Sequence, residues 1–268
     1  MGVISSLRGV YRLAREAGVP DEITHGYLRF GPEGMTPAAR QARAAQDYGP
    51  VLYHGTAQGD FGAFRGQPWF TPSPKTASDY ADRDAFRRMD DDAWEQMGVD
   101  IFERPDVDEV PASEMFEAAR RFGEGQAVMP VRVGKMSNLN MTELGDSPTM
   151  PDLVEFLQRH KVVGKDADPE DWANNLTRDN PTLWLALDEL GLQRDISRAG
   201  FDGLTITDVA AGGGANHVAL NVLSERVPIR SPNATFDPAR RHWNNLLAGA
   251  GGGGLLGALA LQNQEALS

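Results

Sequence analysis

The run Tyr53-His54-Gly55-Thr56, followed by Trp69-Phe70-Thr71 and then by Ala77-Ser78-Asp79-Tyr80-Ala81, constrains this chain more than any other feature. From Val51 an apolar run delivers His54 to the end of a strand, and a second short strand carries Trp69 and Phe70. Pro74-Lys75-Thr76-Ala77 then opens a helix that holds Tyr80. Singly, each residue has a plain explanation: a Tyr-His pair at a strand end is usually a capped edge, and Trp-Phe is usually core. Jointly, a histidine, an indole and a tyrosine in this order read as groups converging on one pocket.

In order and spacing these residues resemble the ADP-ribosyltransferase superfamily, in the branch that uses a His, a Tyr and a third polar residue as the poly(ADP-ribose) polymerases do. They resemble still more the transferase-like domains of phage and mobile-element polyvalent proteins. The resemblance covers about residues 48 to 240 and implies an α+β fold, a split antiparallel β core with helical insertions. It also implies NAD as substrate, held bent while the bond between nicotinamide and ribose breaks. Tyr53, His54, Gly55, Thr56, Trp69, Phe70, Ser78 and Tyr80 would then form the NAD site, with His54, Tyr80 and His217 catalytic. His54 would bond a hydroxyl of the adenosine ribose. The backbone of Gly55, with no Cβ in the way, would approach the carboxamide. Tyr80 would stack on nicotinamide, Trp69, eleven positions earlier, would wall the other side, and Ser78 or Thr76 would offer a hydroxyl.

Downstream, Ala127 to Val133 alternates as a strand and Asn138-Leu139-Asn140-Met141 reads as a turn. Trp184 to Leu190 has helical spacing, Phe201-Asp202-Gly203 leads into a strand through Ile206, and His217 to Val222 is a further strand. Arg230-Ser231 through Phe236-Asp237-Pro238 closes the resembling region. One departure stands out. Where the family places a glutamate at the start of a strand, this chain has His217, which lacks the fixed negative charge that favours a developing ribosyl cation. Glu225 and Asp208 are the alternative acids. Poly-chain elongation is therefore not expected, while transfer of a single ADP-ribose remains open.

Of the formal net charge of −12, the stretch from Asp82 to Glu124 holds 14 acidic against 6 basic residues, a net −8. Such an insertion, about residues 82 to 125, is a solvated face or, beside the pocket, a field that repels nucleic acid and welcomes a basic protein acceptor. A second, helical insertion at about 151 to 191 is expected as a lid or acceptor platform. With no cysteine there is neither disulfide nor thiolate zinc site, and the five histidines never fall in a His-x-x-x-His pair, so no metal is expected.

Residues 1 to 47 read as a helical extension, with helices at Ser5 to Ala17 and Pro37 to Gln46. Met1 to Ser6 formally matches an N-myristoylation pattern, and no secretory signal is seen. Residues 241 to 268 form a Gly-rich apolar tail whose 16-residue core from Leu246 to Leu261 falls short of a comfortable membrane span. It is a flexible linker or a small-residue surface that meets a membrane, a virion or its own copies. The expectation is a mono-ADP-ribosyltransferase of phage or mobile-element origin, modifying a host protein and located in the virion or the host bacterial cytoplasm. Its competitor is a degenerate NAD- or ADP-ribose-binding or structural virion protein.

Overall fold

The computed structural model describes residues 7–57, 64, 66–99, 110–122, 126–176, 182–208 and 217–240; the C-terminal tail, the myristoylation pattern and the centre of the acidic insertion lie outside them. Three helices come first, α1 (Leu7–Glu16), α2 (Asp21–Gly34) and α3 (Pro37–Asp47), then β1 (Tyr48–Thr56), β2 (Trp69–Phe70) and α4 (Pro74–Arg87). Next are α5 (Asp91–Gln96), α6 (Ala112–Phe122), β3 (Ala127–Gly134), β4 (Asn138–Asn140), α7 (Met150–Arg159), α8 (Pro169–Asn174), α9 (Leu183–Glu189) and α10 (Leu192–Arg198). The last strands are β5 (Gly203–Asp208), β6 (His217–Val222) and β7 (Ile229–Arg230). The class is α+β.

Two sheets carry the fold, one ordered β1-β3-β7 and the other β2-β6-β5-β4. They meet at a bridge between Tyr53 and Thr71, whose backbones exchange hydrogen bonds of 2.8 and 2.9 Å. That bridge uses the Tyr53 N–H and C=O, so Tyr53 turns away from β3. Its cross-strand partner there is Pro130, which has no N–H to give. Pro50 sits where the register of β1 against β3 slips, on a strand that ends its sheet, a placement that tolerates proline.

The pairs are antiparallel except β4 with β5, which run parallel. This corrects the expected turn at Asn138 to Met141 and adds one parallel pair to the expected antiparallel core. Leu139 is buried, and the Asn138 amide donates to Thr205 Oγ1 at 2.9 Å, so pairing with β5 overrides the local turn chemistry of the two asparagines. A parallel pair requires a long crossover, and α7 to α10 supply it. Leu153, Phe156, Leu157, Leu183, Leu187 and Ile196 from that crossover pack on Leu139, Leu204 and Ile206 as the largest core. The segment expected as a lid or platform is therefore the main hydrophobic layer. A satellite core joins α4, α5 and α6 through Phe86, Trp94 and Met115. Within it Asp82 is buried and paired with Arg120 at 3.3 Å, so the acidic stretch begins inside a packed helix.

The N-terminal helices are fastened to the far end of the chain. Glu22 of α2 is buried against Arg230, and one of its oxygens also accepts from the Thr235 N–H and Oγ1, each at 2.9 Å. His25 and Arg29 reach Asp237 at 3.0 and 2.9 Å, and Arg43 donates to Thr235 O at 2.9 Å. Helix α2 was not expected: Gly31, at φ 69°, and Pro32 break its spacing into two short pieces. The signal that marks it is Pro20-Asp21-Glu22, with two acids in the first turn. No helix among the described residues is long and apolar enough to cross a membrane.

Candidate functional site

Helix α4 is the element that positions the site. Ser73 caps it by accepting from the Thr76 N–H at 3.1 Å, and Pro74 occupies its first turn. Its small residues Ala77 and Ala81 let it lie against β1 at Gly55. A Cβ built on Gly55 would come 1.7 Å from the Ala77 carbonyl oxygen and 2.8 Å from the Ala81 nitrogen, both backbone atoms. Asp84 fixes the other end of the contact by accepting from the Ala57 N–H at 2.8 Å. Burial alone would raise the Asp84 carboxyl, but the Ala57 amide and Arg88, with Thr56, outweigh it and hold the group below the usual carboxylate range.

So anchored, α4 delivers Tyr80 to the ends of β5 and β6. Its hydroxyl donates to Asp208 and lies 3.2 Å from His217 Nε2, and the two rings meet edge-on with centroids 5.8 Å apart. Asp208 and His217 are cross-strand partners, so their side chains emerge side by side, with Nε2 3.9 Å from the carboxylate. Burial raises the Tyr80 phenol far above its ordinary value, and the Asp208 charge and hydrogen bond push it the same way. Burial lowers the His217 imidazole, opposed by the charges of Asp208 and Asp79. The His217 side chain is only 8% exposed, and its Nδ1 has no hydrogen-bond partner among the described residues.

Strand alternation places the remaining candidates. Tyr53 and Gly55 direct their backbone N–H and C=O away from β3, to the side on which Tyr53 meets Thr71, as the bridge and the register require. His54 points to the face opposite Gly55 and α4. Its Nδ1–H donates to the Trp69 carbonyl at 2.8 Å, and its ring sits edge-on to Phe64, 4.8 Å between centroids, beside Phe70 at 5.7 Å. Burial lowers the His54 pKa, against the Trp69 carbonyl and the Asp84 charge. The expected convergence of His54 and Tyr80 on one face is thus corrected: β1 lies between them.

Other assignments change as well. Phe70 is 1% exposed in a core with Val131, Val133 and Val222, so it supports His54 and is closed to a ligand. Thr56 is buried with its hydroxyl toward Asp84 at 3.5 Å. Trp69 shares the face of His217, but its cross-strand partner is Asn221, four residues along β6, or roughly 13 Å at the backbone. The indole packs on the main core there. Ser78, two residues before Tyr80, lies on another side of α4, whereas Thr76, four residues before it, shares the Tyr80 face. Glu225 is exposed in the turn past the far end of β6, which removes it as a partner for Tyr80. Asp208 is the acid that reaches the cluster. Counting β5 and β6 as one hairpin would have set it opposite His217 from sequence alone.

The described residues contain no group of His, Asp and Glu that could hold a metal ion. No protein-family model, no curated protein and no solved structure matches the chain.

Proposed function

We propose that the chain is an ADP-ribosyltransferase-like domain that takes NAD as substrate and passes one ADP-ribose to a host protein. The observation that carries this reading is the meeting of Tyr80 from α4 with Asp208 and His217 from the β5–β6 hairpin, next to a strand whose Gly55 amide and carbonyl turn away from β3. Nicotinamide would present its carboxamide to Gly55 and its ring to Tyr80. As the glycosidic bond lengthens, positive charge grows on the ribose, and Asp208 supplies the negative field that the family's glutamate would provide, the nearby Asp79 being paired with Lys75 at 3.3 Å. The carboxylate thus comes from the strand beside His217. His54, on the other side of β1, would meet the adenosine end of the dinucleotide. The two joined sheets, mostly antiparallel and held by one bridge, suit the split core of that family. The order of motifs further supports a phage or mobile-element protein acting in the virion or host cytoplasm.

A second reading, a domain that binds NAD or ADP-ribose without turnover or serves only as structure, is favoured by one observation. The Tyr80 hydroxyl, the Asp208 carboxylate and His217 Nε2 are engaged with one another, and His54 and Phe70 are packed into the opposite face. The two readings separate when purified protein is titrated with NAD by calorimetry and then incubated with labelled NAD and bacterial lysate. Transferase activity requires binding, nicotinamide release and label on protein together. Binding without release selects the second reading, and no heat at millimolar NAD rejects nucleotide binding altogether.

A further inference from the structure

We propose that residues 7–35, α1 together with α2, form a detachable cap that lifts as one unit from the segment Arg230 to Asp237 while the two sheets stay folded, uncovering the polar groups of that segment. The cap carries its own apolar cluster. Ala14, Val19, Ile23 and Met35 are its buried members, and among the described residues every side chain packed in that cluster comes from positions 14 to 35. Polar ties within the cap are its own as well: the Arg15 guanidinium donates to Asp21 at 2.8 Å, and the Tyr11 hydroxyl lies 3.1 Å from His25 Nδ1. The seam toward the rest of the protein is built differently, from charged and polar groups. Glu22 meets Arg230 and the Thr235 N–H and Oγ1, and His25 and Arg29 meet Asp237. From α3, Arg43 donates to the Gly34 carbonyl at 2.7 Å and lays its guanidinium over the Phe30 ring, 4.1 Å from the centroid.

Parting such a seam returns charges to water and leaves the apolar cluster of the cap covered. Glu22, Arg230 and Asp237 are all buried, so the desolvation they suffer in the closed state is recovered on opening. Glu22 is also unevenly served while closed: Oε1 takes three donors, and the buried Oε2 has no hydrogen-bond partner among the described residues. The core around Leu204 and Ile206 has the opposite balance, because opening it exposes apolar surface. The joint between cap and body is short. The Met35 and Thr36 N–H groups bond back to Pro32 and Glu33 inside the cap, while the Thr36 hydroxyl oxygen accepts from the Ala39 N–H at the start of α3. A cap on that tether stays beside its seat and can close again, so the segment that holds Arg230, Thr235 and Asp237 alternates between concealed and displayed.

The test is amide hydrogen exchange of the full chain, read residue by residue by NMR at urea concentrations below the unfolding transition. The Thr235 N–H is held by Glu22 and is freed when the cap lifts, whereas the Leu204 and Ile206 amides belong to the ladder between β5 and β6. Corrected for intrinsic rates, Thr235 should exchange at least about tenfold faster than Leu204 and Ile206. Its urea dependence should be shallower than theirs, since the slope follows the surface exposed and the apolar cluster travels with the cap. Arg29→Ala removes a partner of Asp237 at the other end of the seam and should speed Thr235 exchange roughly fivefold. A contact that frays at Thr235 alone would not feel that change. Thr235 exchanging at the rate and urea slope of Leu204 and Ile206 would overturn the proposal, because the cap would then part only when the whole protein unfolds. Thr235 exchange unmoved by Arg29→Ala would overturn it too, because the seam would then open contact by contact and not as a unit.

Discussion

Replacing Gly55 by alanine tests the architecture on which everything at the site depends. The added methyl would lie 1.7 Å from the Ala77 carbonyl oxygen and 2.7 Å from its carbon, where about 3.2 Å is tolerable, so α4 must retreat by roughly 1.5 Å. Overpacking of this kind costs about 1 to 3 kcal/mol. The retreat also strains the Ala57–Asp84 hydrogen bond, a charge-assisted contact worth about 1.5 to 3 kcal/mol. The two share one movement and do not simply add, so a loss of about 2 to 4 kcal/mol is expected, read from urea unfolding followed by tryptophan fluorescence. Ala77→Gly should not rescue the variant, since the obstruction is the Ala77 backbone and not its methyl. A Gly55→Ala midpoint within 0.5 kcal/mol of wild type, or full rescue by Ala77→Gly, would refute the packing of α4 on β1 described above.

The buried Glu22 gives a second test: Glu22→Ala removes a buried carboxylate from Arg230 and Thr235 and should cost about 3 to 5 kcal/mol in the same unfolding assay. Deleting residues 1 to 35 should have a comparable effect, and a truncated chain of wild-type stability would make the N-terminal helices an appendage. Tyr80→Ala should weaken NAD binding by about 1 to 3 kcal/mol, roughly tenfold to a hundredfold by calorimetry, through loss of stacking and burial. His54 and His217 both have pKa values lowered in the fold, so each binds fewer protons folded than unfolded. Their contribution is full above about pH 6.5 and is lost as pH falls through the lower folded values. Stability measured between pH 7 and pH 5 should decline, and less steeply in His54→Gln; a flat wild-type profile there would contradict the buried neutral state.

The strand, strand, helix order around residues 48 to 87 was readable because every signal in it is local. Val51 to Tyr53 is a short apolar run, Ser73 and Pro74 are a cap and a first-turn proline, and Ala77 and Ala81 repeat at helical spacing. What stayed hidden was decided between segments far apart. Leu139 joins a strand because β5 lies alongside, and nothing in Asn138-Leu139-Asn140 says so. Gly55 was read as making room for a ligand, whereas the space beside its α-carbon is filled by α4, while its in-plane amide and carbonyl turn away from β3. The side to which His54 points depends on register, which the sequence leaves undetermined until the pairing of Tyr53 with Thr71 and Pro130 is known. Asp208 was the one distant partner within reach of sequence reasoning, because a hairpin pairs its residues in mirror order.

The clasp between Glu22 and Arg230 spans 208 positions, and this has a temporal consequence. A ribosome making the chain at about 5 to 20 residues per second exposes α2 some ten to forty seconds before Arg230 and Thr235 exist. Throughout that interval Glu22 lacks the buried partners it has in the finished fold, and burying its carboxylate against the half-built sheets would be costly. The site that accepts Glu22 is complete only once Arg230 and Thr235 are in place, with β7 paired to β3. The ion pair acts as a timer as well as a fastener: an apolar residue at position 22 would let α2 settle early, onto whichever greasy surface emerged first.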